Sequence, residues 1–409
     1  MLIADVLREP TVSRRYMERY VNSGSPSGFT WKHNTSPATN PMGPHATFNV
    51  FAATFPQKNV TDYGDLPPYL PDGDVLIHPD MAVLDMITSQ CDSLRLWPFP
   101  VSPTSSSRTV EILDPDRPAY VKLNYKGMLG RADRQLTRNH AISAVELTEI
   151  MKSAVLRNAL PSSFAFLPEP GARIVSLREE EDKDYEWGMV FREVVPFPYS
   201  HEFAFLIPAF ALFSTDVHRP NDPPLLVQLI DMQASPPDEY LFESIISPLL
   251  VSYFALLINC ALQLECHAQN ALVGFDDNCT ATGIIFRDLE SVDKDISLAE
   301  DLHLSVAFRS CPYKCLRREQ YNYTIMHSFM YDFKLGEYLF TPLIDLVTER
   351  YSITPAAITH SIKTLTRRFI GRLPDTFFPS DGTWYYYENV IHDRTRPRPY
   401  LARPHPKYR

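Results

Sequence analysis

The chain has 409 residues, 44% of them hydrophobic and 22% charged, a composition that excludes a disordered or fibrous protein and can build a core without disulfides or a structural metal. A net charge of -10 excludes a general basic field for nucleic acid or an anionic membrane, so any anionic ligand must be met by a local cluster of Arg and Lys. Six cysteines scattered over this length make no disulfide framework and suit a reducing compartment.

Residues 1–21 mix apolar side chains with acids and arginines and lack the uninterrupted apolar run of a signal peptide, so a cytoplasmic location is expected. Residues 22–46 are rich in Gly, Pro, Ser, Asn and Thr and predict an irregular segment. From Phe48 onward, short extended pieces (TFNVFAATF, DVLIHP, RLWPFPV) alternate with turns. Residues 107–113 and 119–123 predict two strands joined by an Asp-Pro-Asp-Arg-Pro turn. Helical spacing follows over 143–159. Residues 173–177 and 188–195 predict a second strand pair, whose acidic connector REEEDKDYE reads as a solvated loop.

The apolar density over 239–265 predicts one long helix. Its most apolar part, 245–264, is interrupted by Pro248, Asn259 and Gln263 and closed by Glu265, which places it in a protein core and not in a membrane. The helix is expected to deliver Glu265, His267, Gln269 and Asn270 at its C-terminal end, where polar groups need partners. ALVGF, a turn over 276–280 and TGIIF then predict a hairpin that returns Asp288 to the side of Asn270. The remainder, to about residue 372, has helical periodicity, and a tail rich in Pro, Arg and Tyr follows.

Three segments concentrate chemistry. In PTSSSRT (103–109), hydroxyls and a guanidinium at the start of a strand can hydrogen-bond a phosphate chain; a Ser-rich surface turn is the bland alternative. Lys122 on the next strand, with Arg134 beyond a turn, can offset charge on triphosphate oxygens, although exposed cations are common. Glu265, His267, Gln269 and Asn270, followed by Arg287, Asp288 and Glu290, offer hard oxygen ligands suited to Mg²⁺.

Taken together, LQLECHAQNALVGFDD and GIIFRDLESVD resemble the signature of the NRPS-independent siderophore (NIS) synthetases, the IucA/IucC-like ligases, roughly E-x-H-x-Q-N followed by R-D. The upstream SSRT segment, Lys122 and Arg134 are similar to the family's nucleotide-binding positions, and VLIHPDM (75–81), VFREVVPF and FFPSDGTWYYYENVIHDR resemble further elements. The resemblance implies an α+β fold with mixed β-sheet fingers and palm and a helical thumb, its N-terminal part shortened relative to the family. The division it suggests is 1–72 as that shortened region, 73–200 as fingers-like, 201–300 as palm-like and 301–409 as thumb-like.

The resemblance also implies ATP and Mg²⁺. Ser106, Arg108, Thr109, Lys122 and Arg134 would contact phosphates, and His267, Gln269 and Asn270 would line the nucleotide and carboxylate site. Glu265, Asn270 and Asp288 would bear on the metal, while His267, Arg134 and Lys122 would be catalytic. The implied reaction joins a small-molecule carboxylate, activated as its acyl-adenylate, to an amine or alcohol, with a homodimer as the assembly and neither nucleic acid nor membrane as partner. A kinase-like phosphotransferase has an overlapping set of parts, and a degenerate homologue that binds nucleotide without turnover is the non-enzymatic alternative.

Overall fold

A computed structural model describes residues 48–77, 87–104, 108–125, 128–129, 132–133, 135–178, 184–199, 203–214, 221–305, 313–320, 323–374 and 407–408. In chain order the strands are β1 (Phe51–Thr54), β2 (Val60–Gly64), β3 (Asp74–Ile77), β4 (Ser93–Leu96), β5 (Val101–Pro103), β6 (Thr109–Ile112) and β7 (Ala119–Leu123). A two-stranded pair, β8 (Met128–Leu129) and β9 (Ala132–Asp133), leads to helix α1 (Arg138–Leu156). Then come β10 (Phe164–Phe166), β11 (Gly171–Arg178), β12 (Asp184–Arg192) and β13 (Phe205–Pro208).

The second half opens with α2 (Ala209–Phe213), α3 (Leu225–Asp231) and the long helix α4 (Pro237–Cys260). It continues through β14 (Leu262–Gln263), β15 (Ala271–Phe275), β16 (Ala281–Phe286), β17 (Asp293–Asp295), α5 (Ile296–Asp301) and β18 (Cys315–Leu316). Helix α6 (Tyr323–Ser328) runs through a π-helical stretch, Phe329–Phe340, into α7 (Thr341–Tyr351), and α8 (Pro355–Ile370) follows.

The fold is α+β with mixed sheets. A six-stranded antiparallel sheet has the order β2-β11-β12-β7-β6-β5, and a small β3-β1-β4 sheet packs on one of its faces. Period-two alternation dictates this contact, because Val110, Ile112, Val121, Leu123, Val175, Trp187, Met189 and Phe191 all point into the shared core. Arg173 crosses that layer, donating to both carboxylate oxygens of Asp62 (2.6 and 2.9 Å) and to the carbonyls of Pro71 and Asp74.

On the opposite face Ala172, Ile174 and Val190 meet Ala141 and Ala144 of α1, small residues that let the helix lie close on the sheet. A four-stranded sheet, β10-β16-β15-β13, has β10 parallel to β16 and the other pairs antiparallel. A three-stranded sheet has the order β14-β17-β18. The largest core joins the four-stranded sheet to α1, α4 and the helices beyond residue 323.

The strand pairs and the hairpin read from the sequence are present. The hairpin turn is built by Asp276, whose Oδ1 accepts from the N–H groups of Asn278 and Thr280. Helix α1 ends at Leu156 rather than residue 159, β12 spans Asp184–Arg192 rather than 188–195, and the remainder expected to be helical includes strands β17 and β18; two further boundaries shape the site. Helix α1 begins at Arg138 rather than residue 143, because Thr137 and His140 form a reciprocal cap. Helix α4 ends at Cys260, not at Glu265: Ala261 turns left-handed at φ 52°, and Leu262–Gln263 pair with β17 instead. The polar cluster therefore sits on a loop after a strand and not on a helix end.

Helix α4 is the one helix among the described residues long and apolar enough to cross a membrane. Its apolar side chains, Leu250, Phe254 and Leu257 among them, are buried in the largest core.

Candidate active site

The site starts from alternation in β7. Val121 and Leu123 point into the core under the small sheet, which leaves Tyr120 and Lys122 on the other face. The register opposes Lys122 to Thr109 on β6 and to Val190 on β12, and opposes Tyr120 to Arg192. Lys122, Thr109 and Arg192 consequently share one buried face of the six-stranded sheet. Leu272 and Ile285 of the four-stranded sheet pack on Tyr120. Strand β16 ends beside it at Phe286, and the chain passes directly into Arg287, Asp288 and Glu290.

There three cations meet three carboxylates. Arg108 donates to Glu290 Oε1 at 2.7 Å, and Lys122 Nζ reaches the same oxygen at 2.7 Å. Lys122 also pairs with Asp288 Oδ1, and Arg192 bridges that oxygen at 3.2 Å to Glu169 Oε1 at 2.5 Å. Burial opposes ionisation of Asp288, but Lys122 and Arg192 outweigh it and hold the carboxyl well below the usual range. Glu290 follows the same logic: burial pushes it up, Lys122 and Arg108 pull harder, and it lies at about 2. Glu169 is pushed up by burial against the pull of Arg192.

Asp288 has a left-handed backbone, φ 75° and ψ 61°. A non-glycine residue there is strained, and such strain persists where the surroundings over-determine it. Here the surroundings are the two cations and the Ser291 cap, whose N–H and Oγ both donate to the Asp288 carbonyl.

The loop 264–270 folds onto this network through Arg287. Its backbone N–H donates to the Asn270 carbonyl at 3.1 Å and its Nε to the Gln269 carbonyl at 3.0 Å. His267 Nδ1 accepts from the Gln269 N–H at 3.2 Å, so the neutral ring carries its proton on Nε2, which lies 4.0 Å from Glu265 Oε1. Burial, only partly offset by Glu265, lowers His267 to about 4, so it is neutral at pH 7. Neutral and in this tautomer, it is a hydrogen-bond donor at Nε2. Glu265 is itself paired with Lys334 Nζ at 2.6 Å, and Asn270 Nδ2 donates to the Glu265 carbonyl at 3.4 Å.

Of the residues read from the sequence, the structure gathers Arg108, Thr109, Lys122 and Asp288 on one side and Glu265, His267, Gln269 and Asn270 on the other, joined by Arg287. Ser106 and Arg134 lie outside the described residues, as do residues 78–81 of the VLIHPDM segment and all of FFPSDGTWYYYENVIHDR. The pairing roles of Arg192, Glu169 and Lys334 were not foreseen, and neither were His140 and Tyr313. Those two rings meet edge to face at 4.6 Å, and Glu290 and Arg108 act on both electrostatically. Of these only Arg192, within VFREVVPF, carried a local signal.

Among the described residues no three His, Cys, Asp or Glu side chains are placed to hold a metal ion by themselves. Mg²⁺, however, commonly uses one or two protein carboxylates, completing its shell with water and substrate phosphates. Asp288 and Glu290 fit that donor set, and Glu290 Oε2 is buried without a hydrogen-bond partner. Glu265, expected at the metal, already has its charge offset by Lys334.

Neither a family model nor a curated protein matches the sequence. Among solved structures, ATP-bound aerobactin synthetase IucA from a hypervirulent pathotype of Klebsiella pneumoniae superposes with a TM-score of 0.63 at 15% identity, over 80% of this chain and 63% of that one. Petrobactin biosynthesis protein AsbB from Bacillus anthracis str. Sterne gives 0.67 at 13% identity, over 88% of this chain and 67% of that one. The chain has the siderophore-synthetase fold. Aerobactin synthetase IucC from the Klebsiella pathotype extends the likeness, with a TM-score of 0.55 at 12% identity over 80% of this chain and 64% of that one. The siderophore-synthetase fold is thus present in a chain that spans just under two thirds of the ATP-bound IucA structure.

Proposed function

We propose that the chain is an ATP-dependent ligase that adenylates a polycarboxylate, citrate-like or another di- or tricarboxylic acid, and condenses it with an amine or alcohol in siderophore or related secondary-metabolite biosynthesis. The observation that carries this reading is the convergence of Arg108, Lys122, Asp288 and Glu290 in one buried network, within a fold whose solved examples include an ATP-bound synthetase.

In the proposed reaction a substrate carboxylate oxygen attacks the α-phosphorus of ATP and pyrophosphate leaves. The amine or hydroxyl then attacks the acyl carbonyl, the acyl–phosphate bond breaks as AMP leaves, and the attacking group gives up its proton to water. Arg108 and Lys122 bind phosphate oxygens and offset the charge that builds on the leaving pyrophosphate. Asp288 and Glu290 would hold Mg²⁺, which neutralises phosphate charge when bound. His267, with its proton on Nε2, donates a hydrogen bond to a substrate oxygen. The enzyme is proposed to work in the cytoplasm, as a homodimer, on small molecules alone.

Product analysis tests this. Purified protein with Mg²⁺, ATP, hydroxylamine and a panel of di- and tricarboxylates is expected to release AMP and pyrophosphate and to form a hydroxamate. Release of ADP instead would make it a phosphotransferase. Nucleotide binding with no carboxylate-dependent pyrophosphate would make it a non-catalytic homologue.

A further inference from the structure

The π-helical stretch Phe329–Phe340 is unusual in length, since i→i+5 winding ordinarily occurs as a single-turn bulge. It presents Lys334 to Glu265, and Tyr408 is lodged against it. The Tyr408 ring is buried over Gly336, where an added Cβ would stand 3.1 Å from Tyr408 Cδ2. Tyr331 Oη donates to the Tyr408 carbonyl at 3.0 Å, the Tyr408 hydroxyl shares a 2.9 Å hydrogen bond with Thr341 Oγ1, and Phe340 meets the ring edge-on. Lys407 Nζ adds a hydrogen bond to Thr341 Oγ1 at 3.2 Å.

Tyr331, Gly336 and Thr341 are spaced five apart. In an α-helix at 3.6 residues per turn, positions five apart point about 140° away from each other. Winding with i→i+5 hydrogen bonds brings them toward one face. Tyr408 therefore clasps a surface that exists only while the segment keeps its wide winding. Rewinding as an α-helix would rotate Lys334 relative to Thr341 and carry it away from Glu265.

We infer that Tyr408 is a positioning residue: by clasping Tyr331, Gly336 and Thr341 it holds the π-helical winding that sets Lys334 against Glu265 at the active site. The inference rests on the ligase reading only where activity is the readout.

The test is competitive labelling of the full chain with acetic anhydride, with Lys294 as internal control, since that lysine is fully buried and pairs with Glu146. In Tyr408→Ala, labelling of Lys334 is expected to rise about tenfold with Lys294 unchanged, as befits local rather than global opening. Tyr408→Phe, which keeps the ring and loses only the hydrogen bond to Thr341, and Thr341→Val, which removes that bond and the one from Lys407, should each give an intermediate rise, and they carry the test should Tyr408→Ala fail to fold. Unchanged Lys334 labelling overturns the inference, and an equal rise at Lys294 reduces Tyr408 to general stability. Pyrophosphate release should fall as Lys334 labelling rises. If wild type releases none, the ligase reading fails while the labelling result still decides the role of Tyr408.

Discussion

Glu290 and Asp293 lie three residues apart and titrate in opposite directions because of what stands beside each. Glu290 Oε1 receives Arg108 and Lys122, both at 2.7 Å, and lies at about 2. Asp293 is also buried, the cation beside it is Lys314 at 3.8 Å, its Oδ2 has no hydrogen-bond partner among the described residues, and burial pushes it up to about 7. Since the folded value lies above the unfolded one, near 3.9, the associated stability is full below about pH 4 and is lost as pH rises through about 7. Asp293→Asn removes that loss. The variant is expected to exceed wild type by on the order of 4 kcal/mol at pH 8.5 and to converge with it near pH 4. Guanidinium melts at the two pH values check this, and an equal difference at both would show that Asp293 does not titrate as described. Glu290 has the opposite sign: its contribution is present above about pH 4.3 and disappears as pH falls toward 2.

Among the elements, those with local codes were legible and those decided by tertiary contacts were not. Strands β6, β7, β15 and β16 were readable because apolar alternation and Asp-rich turns are encoded within a few residues. The start of α1 was not, because the capping partner at its third position is His140, where Glu or Gln is the usual sign. His140 Nδ1 accepts from the Thr137 N–H at 3.0 Å and faces the Thr137 hydroxyl at 2.8 Å. Thr137→Ala is accordingly expected to cost about 1 kcal/mol, read by urea melts, and an unchanged midpoint would mean that the cap contributes nothing. The end of α4 escaped for another reason: the periodicity continues through Ala261, and only pairing of Leu262–Gln263 with β17 breaks the helix there. Nothing near residues 329–340 announces the π winding either, since the residue that clasps it, Tyr408, lies far along the chain.

At the scale of the whole molecule the site is a junction between two sheets, and that explains which half of it the sequence disclosed. Lys122 and Asp288 each sit in a recognisable local motif, but their pairing spans 166 residues, and that of Arg108 with Glu290 spans 182. Arg192 lies in the VFREVVPF segment, but its place in the network comes from the register of β12 on β7, and Glu169, which carries no motif, enters by pairing with Arg192. The same junction makes a ligand-binding prediction. On the ligase reading, nucleotide phosphates take Arg108 and Lys122 while Mg²⁺ takes Asp288 and Glu290, so nucleotide and metal should stabilise the folded chain together. A ligand at a hundred times its Kd contributes about 2.7 kcal/mol, enough to raise the thermal midpoint measurably. Wild type should show a larger rise with Mg²⁺ and ATP than with ATP in EDTA. Lys122→Met should lose the rise under both conditions, and Glu290→Gln should keep the response to ATP alone and lose the increment from Mg²⁺. A wild-type midpoint insensitive to Mg²⁺, or a Lys122→Met protein that still responds fully, would move the nucleotide away from this network.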